Sequence, residues 1–232
     1  TTRVTLGSGV TLKSAHNFLG DQKLDVSSRN LTVLDVDLNV FTAAFGGTLG
    51  LDLGVAQGLR AFGALQDPNY LLDTSPRAQF NKLKFGGNYT LPFHVLGQDW
   101  TFTSAVVGQH ARNVLYGSEQ VLIGGLFTIR GFERNTLAGD DGYYARNEIA
   151  WRKAVSIAGE TIAGRVYVGY DFGSVRNRVP NIAQGFLAGG AVGVGGQWRG
   201  LSFDTFIAQA ISKPDSMKRE PAQVWFRVGY MF

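Results

Sequence analysis

The chain has 232 residues with a formal net charge of +4, 17% charged and 44% hydrophobic side chains, and 31 glycines. Disorder requires low hydrophobicity combined with high charge, so a disordered chain is excluded. The absence of cysteine removes disulfides, thiolate nucleophiles and cysteine metal sites. Lys and Arg are scattered, with no basic run or nucleic-acid motif, so the positive charge does not point to a nucleic-acid partner.

No run of about 18 apolar residues exists, which rules out a transmembrane helix. It does not rule out a membrane barrel, whose strands show only roughly 10 residues of alternating hydrophobicity each. The chain opens at Thr1 with neither an initiator Met nor a signal peptide, which predicts a mature, trimmed or partial protein.

Period two dominates the sequence, the mark of a strand with two unlike faces. From Arg3 to Lys13, Val4, Leu6, Val10 and Leu12 share one face, while Arg3, Thr5, Thr11 and Lys13 share the other. The polar stretch from Ser14 to Asn30 predicts a strand end and a long loop. Alternation resumes at Leu31, with Leu34, Val36, Leu38 and Val40 against Asp35, Asp37 and Asn39. Leu49, Leu51, Leu53 and Val55 then oppose Gly50, Asp52, Gly54 and Ala56. Gly63 to Pro76 is rich in turn residues and predicts a loop. Phe85, Tyr89, Leu91 and Phe93 oppose Lys82, Lys84, Asn88 and Thr90, and a short turn at 96–99 leads into Trp100 to Gly108. A long loop at 109–141 follows. Further strands are predicted from Tyr143 to Trp151, Ile162 to Gly173, Phe186 to Trp198, Leu201 to Ala210 and Val224 to Phe232. The total is about ten, and helical spacing is sustained nowhere.

Two all-β architectures fit this pattern. A soluble sandwich or barrel would turn the apolar face inward. A transmembrane antiparallel β-barrel would turn it toward lipid and line a lumen with Asp35, Asp37, Asp52, Lys82, Lys84, Arg146, Glu148, Arg152 and Arg165. Three features favour the barrel. The polar faces are rich in Gly, Thr, Ser and Asn, as suits a lumen crowded by an inserted segment. Aromatics such as Tyr89, Phe93, Trp100, Trp151, Trp198, Trp225 and Tyr230 sit near strand ends like interfacial girdles. Short turns alternate with long loops, the asymmetry between the two ends of an outer-membrane barrel. The last strand places Val224, Phe226, Val228, Tyr230 and Phe232 on one face and ends on the aromatic itself. That ending resembles the signal by which outer-membrane barrels are handed to their assembly machinery, and it assigns Tyr230 and Phe232 to that role.

Within the long loop, Arg130 lies between Ile129 and the Gly131-Phe132 pair, an unusual setting for a charge left in solvent. In the strand from Ile162 to Gly173, Asp171 belongs to the polar face, with Gly169 and Gly173 two residues to either side. Glycines there leave room for another backbone to approach, so the loop tip could insert and pair Arg130 with Asp171. The plainer reading is a solvated loop arginine and a channel-lining aspartate.

Ile129-Arg-Gly-Phe132 resembles the Val-Arg-Gly-Phe/Tyr signature of the BamA/TpsB superfamily of outer-membrane transporters. Gly169-Tyr-Asp-Phe-Gly173 resembles that superfamily's Gly/Phe-x-Asp-x-Gly strand motif. The flanking Gly142-Tyr-Tyr-Ala-Arg-Asn-Glu-Ile-Ala-Trp151 and the glycine-rich Leu187 to Gly195 are most similar to the FhaC-like TpsB branch of two-partner secretion transporters. The match covers residues 100–232 by motif, and residues 1–99 by pattern alone.

The resemblance implies a 16-stranded barrel preceded by periplasmic POTRA domains and a plug helix. Its function would be to pass an unfolded TpsA-like partner across the outer membrane. It also implies a contact between the loop-tip motif Ile129, Arg130, Gly131 and Phe132 and the wall motif Gly169, Asp171 and Gly173. With no POTRA pattern and about ten strands, residues 1–232 are expected to be the C-terminal barrel region. A complete ten-stranded barrel ranks second, because it leaves little lumen for an inserted loop. Outer-membrane lipid and the barrel assembly machinery are the other expected partners, and no cofactor is. The rival functions are a BamA-like insertase, a passive porin and an outer-membrane hydrolase. The hydrolase finds no nucleophile at a telling spacing from His16, His94 or His110, of which His94 is expected near a strand end and the other two in loops.

Overall fold

A computed structural model of the chain describes residues 2–24, 28–157 and 159–231. Ten antiparallel strands form a single sheet in which spatial order follows chain order. They are β1 (Arg3–Ala15), β2 (Arg29–Ala44), β3 (Gly47–Leu59), β4 (Asn81–Val95), β5 (Gln98–Ala111), β6 (Asp141–Ile157), β7 (Glu160–Arg176), β8 (Gly185–Trp198), β9 (Leu201–Ser212) and β10 (Gln223–Tyr230). Among the described residues the one helical element is a single 3-10 turn, Gly117–Glu119.

The two ends of the sheet differ because the connections differ. At one end the partners Ala44↔Gly47, Val95↔Gln98, Ile157↔Glu160 and Trp198↔Leu201 leave two residues per hairpin. Phe45-Gly46, Leu96-Gly97 and Arg199-Gly200 all have positive φ at both positions. This is the mirror-image turn whose twist matches that of the flanking strands. The opposite end carries all the long loops. The short turn expected at 96–99 is thus narrower, Leu96-Gly97, and the long loop runs over 112–140.

Most strands are longer than alternation alone suggested, because ladder pairing continues past the part that needs an apolar face. β6 and β7 reach 17 residues each, whereas roughly 10 tilted residues cross a bilayer. That extension corrects the expectation for His110, which lies inside β5 rather than in a loop. His94 does sit near a strand end and His16 in a loop.

The apolar face is the exposed one. Leu6, Val168, Val192 and Phe226 are 74%, 60%, 57% and 81% exposed, the reverse of a soluble sandwich. An apolar surface this extensive belongs against lipid. Phe93 stacks on Trp100 at 6.4 Å on this face, beside Trp151 in register with Trp100. Trp225 departs from the expected girdle. Its register partner is Phe206, and both occupy the inner face. Alternation from Val224 and Phe226 leaves Trp225 no other side.

The inner face carries the inserted loop, which has a core of its own. Val121–Ile123 pairs with Leu137–Gly139 as a small ribbon. Val121, Ile123, Ile129, Phe132 and Leu137 from the loop pack on Val175 of β7 and Leu187 of β8, with Tyr144, Ala210 and Met217 around them. Ile129 and Phe132 are essentially fully buried, each removing about 2–3 kcal/mol worth of apolar surface from water. A second cluster, Val33, Ala56, Phe80, Ala111 and Leu115, packs the start of the loop against strand ends.

Candidate loop-anchoring site

The site begins with a tight reversal. Gly124 and Gly125 both have positive φ, and the Gly125 amide donates to the Ile129 carbonyl. The turn brings Arg130 down onto β7. Its backbone N–H donates to Asp171 Oδ2 at 3.1 Å, Nε to Oδ2 at 2.7 Å and Nη2 to Oδ1 at 2.9 Å. This is the planar fork that arginine offers a carboxylate and lysine does not. Arg130 is 3% exposed and Asp171 0%, so neither charge has water as an alternative partner.

The approach depends on missing side chains. A Cβ on Gly169 would stand 2.1 Å from Arg130 Nη2, and one on Gly189 would stand 1.8 Å from the Arg130 carbonyl oxygen. Gly131 has φ +95°, and its Cβ would meet the Gln209 and Ala210 backbone of β9 at 2.3–2.5 Å. Gly173 serves something else. A Cβ there would collide with Tyr143 and Tyr144 of the adjacent strand. Its place in the motif therefore makes room for β6 rather than for the loop.

The pair sits inside a longer chain of charges. Arg130 Nη1 donates to Glu148 Oε2 at 3.3 Å, and Arg165 bridges Glu148 Oε1 at 2.8 Å to Asp204 Oδ2 at 2.7 Å. The Tyr167 hydroxyl donates to the other Asp204 oxygen at 2.8 Å. Arg146 Nη1 donates to the Leu126 carbonyl and its Nε lies 4.0 Å from Asp171. Three arginines thus face three carboxylates, leaving the cluster neutral. Phe206 covers it, with the Arg130 guanidinium 5.8 Å from the ring centre.

The remaining polar residues singled out in the sequence lie elsewhere on the same inner face. Lys84 joins Asp35 at 2.7 Å and Asp37 at 2.9 Å. Asn39 donates to Asp52 at 2.7 Å. Arg152 stands in register with Arg165 and lines a groove of about 970 Å³ at the turn end, together with Asp204 and Arg227. Lys82 points at the loop residue Glu119. Tyr230 is largely exposed on the outer face, and Phe232 lies outside the described residues.

Sequence reasoning missed four residues that hold the loop or its wall. Glu119, in the 3-10 turn, meets Lys13 and Lys82. Asp140, fully buried, accepts from the Leu115 and Arg178 amides and from Gln120. Asp204 ends the charge chain. Glu220, from the loop at 213–222, accepts three successive amides of the inserted loop, Glu133, Arg134 and Asn135. Burial alone would raise the Glu220 pKa, but these donors outweigh it and hold the carboxyl below its ordinary value. Asp204 sits opposite Leu201, Phe203 and Ile207 on the expected strand Leu201 to Ala210, so alternation could have found it; Glu119, Asp140 and Glu220 lie in connecting loops, where alternation gives no signal.

Residues 1–196 match the profile of the haemolysin secretion/activation protein ShlB/FhaC/HecB family. The chain is 30% identical over 222 residues to the outer membrane transporter CdiB of Dickeya dadantii, covering 95% of this chain and 38% of that protein. It is 27% identical to the hemolysin transporter protein HpmB of Proteus mirabilis, covering 98% and 41%. The solved structure of CdiB from Escherichia coli superposes with a TM-score of 0.89 at 26% identity, over 99% of this chain and 42% of that one. CdiB from Acinetobacter baumannii, at 21% identity and a TM-score of 0.80, shares the fold. The chain spans about two-fifths of the length of the relatives it matches. It belongs to the haemolysin secretion/activation protein ShlB/FhaC/HecB family.

Proposed function

We propose that this chain supplies the C-terminal wall and the inserted loop of an outer-membrane pore that secretes an unfolded partner protein. The observation that carries the reading is the Arg130–Asp171 contact, buried on the polar face of a sheet whose other face is apolar and exposed. A loop held inside the lumen can occlude it, and the contact sets where the loop sits. The partner crosses extended along the polar wall, and its folding outside supplies the driving force. The relatives' names, outer membrane transporter CdiB and hemolysin transporter protein HpmB, support this assignment. Lipid covers the outer face, and Tyr230 with Phe232 serves as the signal to the assembly machinery. This reading needs no catalytic step. His16, His94 and His110 have separate neighbours, namely Ser14, Asp99 and Asp141.

The test is export of the partner by Arg130→Ala. Export is expected to fall sharply while the barrel still reaches the membrane. Normal export with an unchanged loop would sink the proposal.

A further inference from the structure

The inserted loop has a second charged contact, of the opposite polarity, on a different part of the wall. Glu119 stands eleven positions before Arg130. Its side chain is 1% exposed, and its carboxylate meets Lys13 Nζ at 2.5 Å and Lys82 Nζ at 3.1 Å. Lys82 also donates to the Glu119 carbonyl at 2.9 Å, and Gln109 Nε2 donates to the same oxygen at 3.0 Å. Lys13 is on β1, Lys82 on β4 and Gln109 on β5. β1 and β4 are separated in the sheet by β2 and β3, yet their lysines converge on one carboxylate across the concave face. Arg130 is held by β6 and β7 instead, through Glu148 and Asp171.

We infer that Glu119 is a second positioning residue of the loop, holding its first limb to β1 and β4 independently of the Arg130 contact that holds its tip to β6 and β7. The consequence for export rests on the pore reading above, but the positional claim does not. Coulomb attraction to a carboxylate this buried is strong, and removing it leaves the Lys82 ammonium, 10% exposed, without its counter-charge. Glu119→Gln keeps the shape and removes the attraction. The limb around Val121–Ile123 then keeps its apolar contacts, the ribbon to Leu137–Gly139 and the hydrogen bonds at the Glu119 carbonyl and Gln120, but loses its ion pairs to β1 and β4.

The chain contains no cysteine, so a nitroxide attached to it has no competing site among these residues, and any cysteine elsewhere in the protein is replaced by serine. Leu122→Cys reports the first limb and Phe127→Cys the tip. Both positions are exposed, at 51% and 80%. In the protein folded into its membrane, Glu119→Gln is expected to abolish most of the immobile spectral component at position 122 and leave position 127 unchanged. Arg130→Ala is expected to mobilise position 127. Exchanging all three charges, Glu119→Lys with Lys13→Glu and Lys82→Glu, regenerates both attractions and is expected to restore the immobile component at 122. A merely volumetric role would not produce that rescue.

Three results would each overturn the inference: an immobile label at 122 in Glu119→Gln, labels at 122 and 127 freed together by that substitution, or no restoration when all three charges are exchanged. Label mobility does not require a secreted partner. If Glu119→Gln frees the limb while the unsubstituted protein exports no partner, the pore reading falls and the positional claim stands.

Discussion

Asp171→Asn separates the charge at the loop site from its shape. The wild-type carboxylate accepts from Arg130 N, Nε and Nη2 at 3.1, 2.7 and 2.9 Å. Asparagine fits the same space but replaces one acceptor oxygen with an amide that only donates. That amide must face an Arg130 N–H. Arg130, 3% exposed, then keeps one neutral acceptor, and its nearest counter-charge is Glu148 at 3.3 Å, whose other oxygen already serves Arg165 at 2.8 Å. Breaking one side of a buried pair costs about 3–5 kcal/mol, and the residual Glu148 contact places this case near the lower figure. About 3 kcal/mol corresponds to roughly a hundredfold rise in the population with the tip withdrawn. Trypsin reads that population, since Arg130 remains as the cleavage site and the buried bond after it is reached only when the loop leaves the wall. Where reclosing outpaces cleavage, the rate tracks the open population. Cutting after Arg130 should therefore accelerate about a hundredfold in membrane-embedded protein, with no change after the exposed Arg60 of another loop. Equal rates at Arg130 in variant and wild type would refute the reasoning.

Two further perturbations address the same loop from other sides. Gly189→Ala puts a methyl group 1.8 Å from the Arg130 carbonyl oxygen, so the loop tip should be displaced with every charge intact, and the trypsin assay should again show faster cleavage after Arg130. For Glu220, the folded pKa lies below its unfolded value. Its contribution is present above the unfolded pKa and is lost as pH falls through the folded one. Protection of the 133–135 amides, taken relative to their intrinsic exchange rates, should therefore fall as pH drops through and below the ordinary glutamate range, and Glu220→Gln should lack both that protection and that step.

The sequence by itself determined the strands and their faces. Period two is a local property, and Val166, Val168, Tyr170 and Phe172 could only lie opposite Arg165, Tyr167 and Asp171. It also marked the two ends of the sheet, because two-residue turns and long connections are written in residue counts. Arg130 and Asp171 stood out for local reasons as well: one is a charge set in an apolar, glycine-flanked tip, the other a charge between glycines on a polar face.

What only the tertiary structure decided is where each chain segment meets another. The lysines of β1 and β4 meet at Glu119 because the sheet curves. Asp204 joins Arg165 because β9 reaches it past Gly195, whose absent side chain leaves the space. Glu220 caps three amides because two loops far apart in the chain fold over each other. Gly173 makes room for Tyr144 rather than for the loop, a distinction that needs the β6–β7 register. Alternation is a consequence of the backbone pleat and can be read along one strand. Register, curvature and the path of a loop arise from contacts between residues distant in sequence, and no single stretch of the chain encodes them.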